Sequence, residues 1–345
     1  MNELLQKLTE ATGVSSQEKE IRLLIKELIE PHVAEWRVDA LGNLFGFKKG
    51  TGELDMTVLV DAHMDEVGLM VTDVDSDGTL KFDPVGGFDP RALLGKMVVV
   101  GPKKLTGVIG TRPIHLSSAA QRSTMVPISD MRIDIGASKK ENATSKVNVG
   151  DMAAFATEYR ELGEVAIGKA FDNRAGCAAL IELLRGEPYP FDLVAAFTVQ
   201  EEVGLKGAQV AGYDIRPDLA LILECTPAYD LPTDEDISPN VALGKGPSVY
   251  VMDSHTIQDP RFVAHIIRTA TERGIPYQLR QPGGGGTNAG AYQPLHGSIP
   301  VATIATPGRY AHSPAMMINL QDYADVVRLA DATLRNLSAE LFARE

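Results

Sequence analysis

The feature that most constrains this chain is an apolar run that stops in acid. Residues 193–199, Leu-Val-Ala-Ala-Phe-Thr-Val, are β-prone and apolar, and Gln200-Glu201-Glu202-Val203-Gly204 follows at once. Such a run reads as a buried strand delivering two adjacent carboxylates to its C-terminal edge. In open α/β sheets that edge is where ligands bind. Paired glutamates are common on solvated helices as a charged face; here they follow a buried run, which favours a functional site.

At 345 residues the chain exceeds one ordinary core and fits about two domains. Its 44% hydrophobic and 23% charged residues are ordinary for a soluble globular protein. A formal net charge of −13 argues against nucleic-acid and anionic-membrane partners, which need basic patches. Cys177 and Cys225 are too few for a disulfide scaffold. Met1 to Ala11 reads as a short amphipathic helix with Leu4, Leu5 and Leu8 on one face, without the apolar core of an export signal. Together these features point to a reducing cytoplasm. No run approaches the ~20 apolar residues of a membrane span.

Ser15 and Glu18 have capping-box spacing. Ile21, Leu24, Ile25, Leu28 and Ile29 then recur at helical spacing until Pro31. Leu41-Gly42-Asn43-Leu44 reads as a hairpin turn, and 56–60 as a strand ending in Asp61-Ala62-His63-Met64-Asp65-Glu66. From about Val67 to about Gly163 helical periodicity disappears. Short β-prone runs at 69–74, 97–100, 108–109, 131–135 and 152–157 replace it, separated by turns such as Asp77-Gly78 and Gly86-Gly87. Residues 121–125 and 138–146 read as polar loops, the second with room for a short helix. Strand–helix alternation returns at Phe171, with a helix over 173–185, strands at 193–199, 219–223, 248–252 and 301–305, and a helix opened by Asp259-Pro260. Asn319 caps a closing helix whose face carries Val326, Leu329, Leu334, Leu337 and Leu341. The expected fold is α/β: a mixed sheet flanked by helices, built from residues 1–66 and 164–345, with an inserted small all-β, barrel-like domain over 67–163.

Five places put hard-to-bury groups just past apolar runs: His63 with Asp65, Asp172, Glu201 with Glu202, Glu224, and His312. Imidazole and carboxylate suit zinc and other first-row divalent ions. Converging carboxylates without a cation resist ionising together, and a metal pair sharing a bridging carboxylate removes that conflict. Taken singly, each residue has a plainer reading. His63 can be satisfied structure, Asp65 a turn residue, Asp172 the N-cap of the helix from Asn173, Glu224 the partner of an arginine, and His312 part of a loop. His32, His115, His255, His265 and His296 read as structural or surface residues, and Cys225 as a small buried filler.

Together, His63-Met64-Asp65-Glu66-Val67-Gly68, Phe171-Asp172-Asn173-Arg174, Gln200-Glu201-Glu202-Val203-Gly204 with Lys206-Gly207-Ala208, and His312-Ser313-Pro314 resemble the tetrahedral aminopeptidase family. These are co-catalytic metallopeptidases that include glutamyl aminopeptidases and proteins once labelled endoglucanases. The likeness runs in order along essentially the whole chain, including Phe88-Asp89-Pro90 and Ile133-Asp134-Ile135-Gly136-Ala137. The resemblance implies a metal-dependent aminopeptidase acting on peptides, with two divalent ions per chain, zinc first and cobalt or manganese as alternatives. It implies that Asp172 bridges both ions, that His63 and Glu224 hold one, and that Glu202 and His312 hold the other. Glu201 would be the general base, and Asp65 would orient the His63 imidazole. The insert would be a dimerisation domain within a hollow tetrahedral dodecamer.

Two positions depart from the family pattern. Glu224 stands where the family usually has aspartate, and Asn288 replaces the acid of Gly-Gly-Thr-Asp-Ala, removing any contact that depended on that charge. The glycines at 283–286 precede Thr287, a position that favours close backbone approach at the site or at a subunit contact. Other readings are a metal-dependent deacylase of N-acyl amino acids, a non-catalytic relative, and an endoglucanase. The last leaves the histidines unexplained, because glycosidases use two carboxyls flanking a sugar and no metal.

Overall fold

A computed structural model describes residues 2–231, 241–281 and 285–342. An 11-stranded sheet forms its centre. The main path runs Glu35–Val38, Leu44–Lys48, Asp192–Thr198, Thr57–His63, Leu219–Pro227, Val301–Arg309, Met316–Asn319, Val165–Gly168 and Arg160–Leu162. Ser248–Tyr250 pairs with Val301–Arg309 and with Gln278–Arg280, beside this path.

Four central strands, Asp192–Thr198, Thr57–His63, Leu219–Pro227 and Val301–Arg309, are parallel neighbours. They are apolar almost throughout because both faces are covered. Alternate residues point to opposite faces. Val58, Val60 and Ala62 therefore join one core with residues of the helices Asn2–Glu10, Lys19–Ile29, Phe171–Arg185, Pro260–Arg273 and Leu320–Arg335. Leu59 joins a second core with Ala208 and Ala211 of Lys206–Ile215 and Tyr292 of Ala289–Tyr292. Register aligns the strand ends: Thr198 pairs with His63, and pairing of Ile222 with Asp61 sets Glu224 level with His63. Among the described residues no helix is long and apolar enough to cross a membrane.

The chain between these segments forms a closed antiparallel barrel, in the order Gly68–Val74, Leu80–Val85, Arg132–Asp134, Leu105–Gly110, Met97–Val100 and Met152–Phe155. Leu69, Val71, Leu80, Val98, Ile109, Ile133 and Phe155 fill it. Leu80–Val85 was not anticipated, because Asp83 and Pro84 interrupt its β-prone pattern. Arg160–Leu162, Val165–Gly168, Gln278–Arg280 and Met316–Asn319 also went unseen; three or four residues are too few to display a period.

Local chemistry corrects two expectations and sets aside one of the plainer readings. Ser15 and Glu18 do not form a capping box. Glu18 is the N-cap of Lys19–Ile29 without a side-chain cap bond, and Ser15 Oγ instead donates to Asp65 Oδ2 at 2.6 Å, a charge-assisted bond that turns the hydroxyl toward the site. Asp172 does not cap the next helix. Asp172 and Asn173 have non-helical backbone angles, and Asn173 Oδ1 accepts from Gly176 N at 3.0 Å in its place. The closing helix stops at Arg335, so Leu337 and Leu341 lie beyond it, Leu341 in the turn Ala339–Phe342. The caps at Asp259 and Asn319 form as expected, each side chain accepting from two backbone amides.

Candidate active site

The acids arrive on a tightly held turn. Gln200 has a left-handed backbone, φ 55°, uncommon for a non-glycine residue and a form of strain that clusters at functional sites. Asn43 clamps the turn: its Oδ1 accepts from Val199 N at 3.0 Å, and its Nδ2 donates to Gly207 O at 3.0 Å. A Cβ on Gly207 would lie 2.3 Å from Val199 O, so this approach requires glycine. Asp65 fixes both glutamates, accepting from Glu201 N at 3.0 Å and Glu202 N at 3.2 Å. Its Oδ1 is 3.4 Å from His63 Nδ1. The side chain thus holds the acid turn as firmly as it faces the imidazole.

The side chains singled out from the sequence converge in two trios. His63 Nε2 is 3.2 Å from Asp172 Oδ1 and 3.4 Å from Glu224 Oε1. His312 Nε2 is 3.4 Å from Asp172 Oδ2 and 3.4 Å from Glu202 Oε2. Each trio has ligand atoms close enough to hold one metal ion. Asp172 belongs to both and turns one oxygen to each. Glu201 lies beside the first trio, Oε2 4.0 Å from His63 Nε2, and a third grouping of His63, Glu201 and Glu202 has similar spacing. Glu224 reaches this edge despite its extra methylene, its Oε1 accepting from Cys225 N at 3.0 Å. His312 also has a left-handed backbone, φ 57°.

Burial first, then neighbouring acids, push Glu201, Glu202 and Glu224 above the usual carboxylate range. Burial opposes a charged His63, but Glu224 and Glu201 outweigh it and raise its pKa well above the ordinary value. Hydrogen bonding to Asp172 raises that of His312 to about 10. These are the signs of an acid cluster short of positive charge. His63 Nδ1 and Glu224 Oε2 are also buried without a hydrogen-bond partner. Nitrogen and oxygen donors in two trios joined by one carboxylate fit first-row divalent cations.

Residues beyond the sequence-based set hold the site together. Glu66, next to Asp65, accepts from Lys169 Nζ at 2.7 Å and Arg174 Nη2 at 3.2 Å, all three buried. Arg174 also donates to Met64 O, Leu8 O and Ala11 O. The segment bearing His63 is thereby locked to the segment bearing Asp172. Arg174 was visible as part of a motif; nothing local marks Ser15, Asn43 or Lys169 for these roles.

A cavity of about 420 Å³ opens on the cluster, lined by His63, Glu201, Glu224, Tyr250, Arg280 and Thr287 among others. Gly285 and Gly286 also line it, and a Cβ on Gly286 would lie 2.0 Å from His255 Nδ1, so the backbone does approach closely there. Gly283 and Gly284 lie outside the described residues. Asn288 does not line the cavity. It is fully buried, donating to Asp61 Oδ1 at 2.7 Å and Thr198 Oγ1 at 2.9 Å.

Residues 42–329 match the M42 glutamyl aminopeptidase family. The chain belongs to this family. It is 32% identical to the lysyl aminopeptidase of Pyrococcus furiosus over 344 residues, covering 97% of each chain. Among solved structures, the TET aminopeptidase of the marine-sediment archaeon Thaumarchaeota archaeon SCGC AB-539-E09 superposes with a TM-score of 0.93 at 35% identity, covering 99% of this chain and 97% of that one. The TET1 peptidase of Pyrococcus horikoshii, which can assemble into a tetrahedron or a large octahedral shell, superposes with a TM-score of 0.88 at 34% identity, covering 97% and 99%. This M42 chain is accordingly an aminopeptidase, a hydrolase of N-terminal peptide bonds.

Proposed function

We propose that this M42 aminopeptidase is dinuclear: His63, Asp172 and Glu224 hold one divalent cation, Asp172, Glu202 and His312 a second, and Glu201 is the general base. Asp172 carries this reading, because its two oxygens face two different histidine–glutamate pairs. Zinc suits the donors best, with cobalt or manganese as substitutes. Cations bound there supply an acidified water as nucleophile and polarise the scissile carbonyl. Glu201 is buried with a raised proton affinity, so its carboxylate is suited to take the nucleophile's proton and pass it to the leaving amine. Asp65 keeps Glu201 in place through the backbone bond to Glu201 N and faces the His63 imidazole. A peptide's free α-amine is a cation, which the surplus of carboxylates in this cavity favours. An N-acylated substrate lacks that charge, and this counts against the deacylase reading.

The enzyme works on this reading as a homo-oligomer, a dodecamer being the number of copies that tetrahedral symmetry generates. Residues 67–163 serve as its dimerisation domain and residues 1–66 and 164–345 as its catalytic domain. Ile114, Leu116 and Met125 leave large apolar side chains exposed on the connection between the barrel strands Leu105–Gly110 and Arg132–Asp134, the kind of surface that marks self-association. Cys177 and Cys225 are free and buried, which agrees with a cytoplasmic enzyme.

The test is hydrolysis of aminoacyl-peptides and their N-acetylated counterparts by chelator-stripped protein, before and after zinc, cobalt or manganese is restored. Cleavage of free-amine substrates alone, and only with metal, is expected. Cleavage of the acetylated set would establish a deacylase or endopeptidase instead.

A further inference from the structure

Four consecutive backbone amides carry the turn that presents Glu201, and each meets a side chain from elsewhere in the chain. Val199 N donates to Asn43 Oδ1, and Glu201 N and Glu202 N donate to the two oxygens of Asp65. The amide between them, that of Gln200, bonds to the carboxyl of Glu18. Glu18 is 3% exposed, and its Oε1 also accepts from Ser16 N at 2.7 Å. Burial first, then the neighbouring charge of Asp65, push this carboxyl up to about 7. An acid is disfavoured there as mere filling, since an apolar or amide side chain avoids both the desolvation and the repulsion. What a carboxylate alone offers is two accepting oxygens and no N–H that would face the amides.

The segment that brings Glu18 to this position is itself fixed. Val14 forms a bridge with Glu66, Ser15 N donates to Glu66 O at 3.3 Å, and Glu66 N donates to Gly13 O at 3.0 Å. Gly13 N donates to Glu66 Oε1 at 2.9 Å. Ser16 then takes a left-handed backbone, φ 75°. On either side of it Ser15 Oγ and the Glu18 carboxyl reach the acid turn, the first through Asp65 and the second through Gln200. Gln200 immediately precedes Glu201, and its own φ of 55° sets the direction in which Glu201 leaves the strand. A non-glycine residue stays in that region only where its surroundings hold it there. Removing the acceptor from the Gln200 amide loosens this one residue, while Asp65 still holds the amides of Glu201 and Glu202.

We propose that Glu18 is a positioning residue: by holding the Gln200 amide it fixes the left-handed turn that aims the Glu201 carboxylate at the substrate cavity. This role rests on that of Glu201 as the general base. It acts on the proton-transfer step and leaves substrate binding and metal binding in place. Glu18 does not line the cavity, and His63, Asp172, Glu224 and His312 come from other segments of the chain.

The test is a double-mutant cycle of Glu18→Gln and Glu201→Gln on one free-amine peptide, with metal content and thermal denaturation measured on the same samples. Glu18→Gln alone is expected to lower kcat by about 10–100-fold, the effect of a misplacement on the order of 1 Å, with KM within about threefold. Its metal content is expected to match wild type and its melting temperature to be no lower. In the Glu201→Gln background the same substitution is expected to lower the residual kcat by less than about twofold, because no carboxylate is left to aim. Glu18→Asp keeps both oxygens one methylene further from the amide; in the same cycle it is expected to show a smaller loss of the same kind, and it serves where Glu18→Gln is unstable. Glu20→Gln alters the same segment at a residue that pairs with Thr12 and Lys104. It is expected to leave kcat within about twofold of wild type. A Glu18→Gln loss that recurs in full in the Glu201→Gln background would overturn the inference. So would an unchanged kcat, an equal loss in Glu20→Gln, or a loss matched by missing metal or by a lowered melting temperature. A wild-type kcat in Glu201→Gln at equal metal content would instead remove the general-base role on which that of Glu18 stands.

Discussion

Asn288 donates its amide to Asp61 behind the site, and Tyr292 donates its hydroxyl to the other oxygen at 2.7 Å. Burial raises the Asp61 carboxyl to about 6 against these bonds. Removing one donor leaves a buried carboxylate less satisfied, which costs about 2 kcal/mol. Asn288→Ala is therefore expected to lose about that much stability in chemical denaturation, while kcat/KM on a good substrate falls less than tenfold. A larger kinetic effect at unchanged stability would place Asn288 in contact with substrate. The sequence alone marked this position only as a departure from the acid of the family pattern. Its inward orientation depends on Asp61 and Thr198, partners from two other strands.

At the scale of elements, the Glu66–Lys169–Arg174 cluster joins the ends of Thr57–His63 and the start of Phe171–Arg185. Breaking a buried ion pair from one side leaves an uncompensated charge and costs roughly 3–5 kcal/mol. Arg174→Met is expected to lower stability by that amount and to reduce metal affinity with it, measured by denaturation and metal titration. Lys169 adds a pH signature. Burial, only partly offset by Glu66, lowers its ammonium from 10.5 to about 8. Between those values the unfolded chain binds a proton that the folded chain does not, so this contribution to stability grows as pH rises through the window and is absent below it. The stability of wild type relative to Lys169→Met is expected to rise by up to ~3 kcal/mol from pH 8 to 10.5; a flat difference would show that Lys169 keeps its proton when folded. Strands with long apolar runs were legible in the sequence because burial on both faces imposes that composition. Short edge strands were not, because three or four residues display no period, and the Asn173–Gly176 bond at the start of Phe171–Arg185 depends on backbone angles at Asp172 and Asn173 that no local pattern reveals. The same holds within the site. His63, Asp172, Glu201, Glu202, Glu224 and His312 stand out at strand ends and turns, whereas Ser15 and Asn43 take part only through residues 50 and 156 positions away.

Across the whole molecule, the barrel contributes to the site as well as to surface. Thr157 Oγ1, just past the strand Met152–Phe155, donates to Pro314 O at 2.6 Å and braces the loop that carries His312. Gly87, beyond the strand Leu80–Val85, has its Cβ position 4.0 Å from His312 Nδ1. Assembly through the barrel would thus stiffen the side of the site that is otherwise most open. Ile114 is 70% exposed and Met125 61% exposed. Ile114→Glu with Met125→Glu is expected to shift the particle to smaller species in mass photometry with an unchanged circular dichroism spectrum. An unchanged mass would exclude this surface from the assembly.

In the proposed mechanism Glu201 moves a proton in a site whose cations are held by other side chains. The most direct measurement is turnover of one free-amine peptide by wild type and Glu201→Gln, with metal content determined on the same samples. Glu201→Gln is expected to retain its metal and lose about 10²–10⁴-fold in kcat, the usual worth of a general base. Turnover within tenfold of wild type at equal metal content, or activity lost only in proportion to metal, would contradict the role assigned to Glu201.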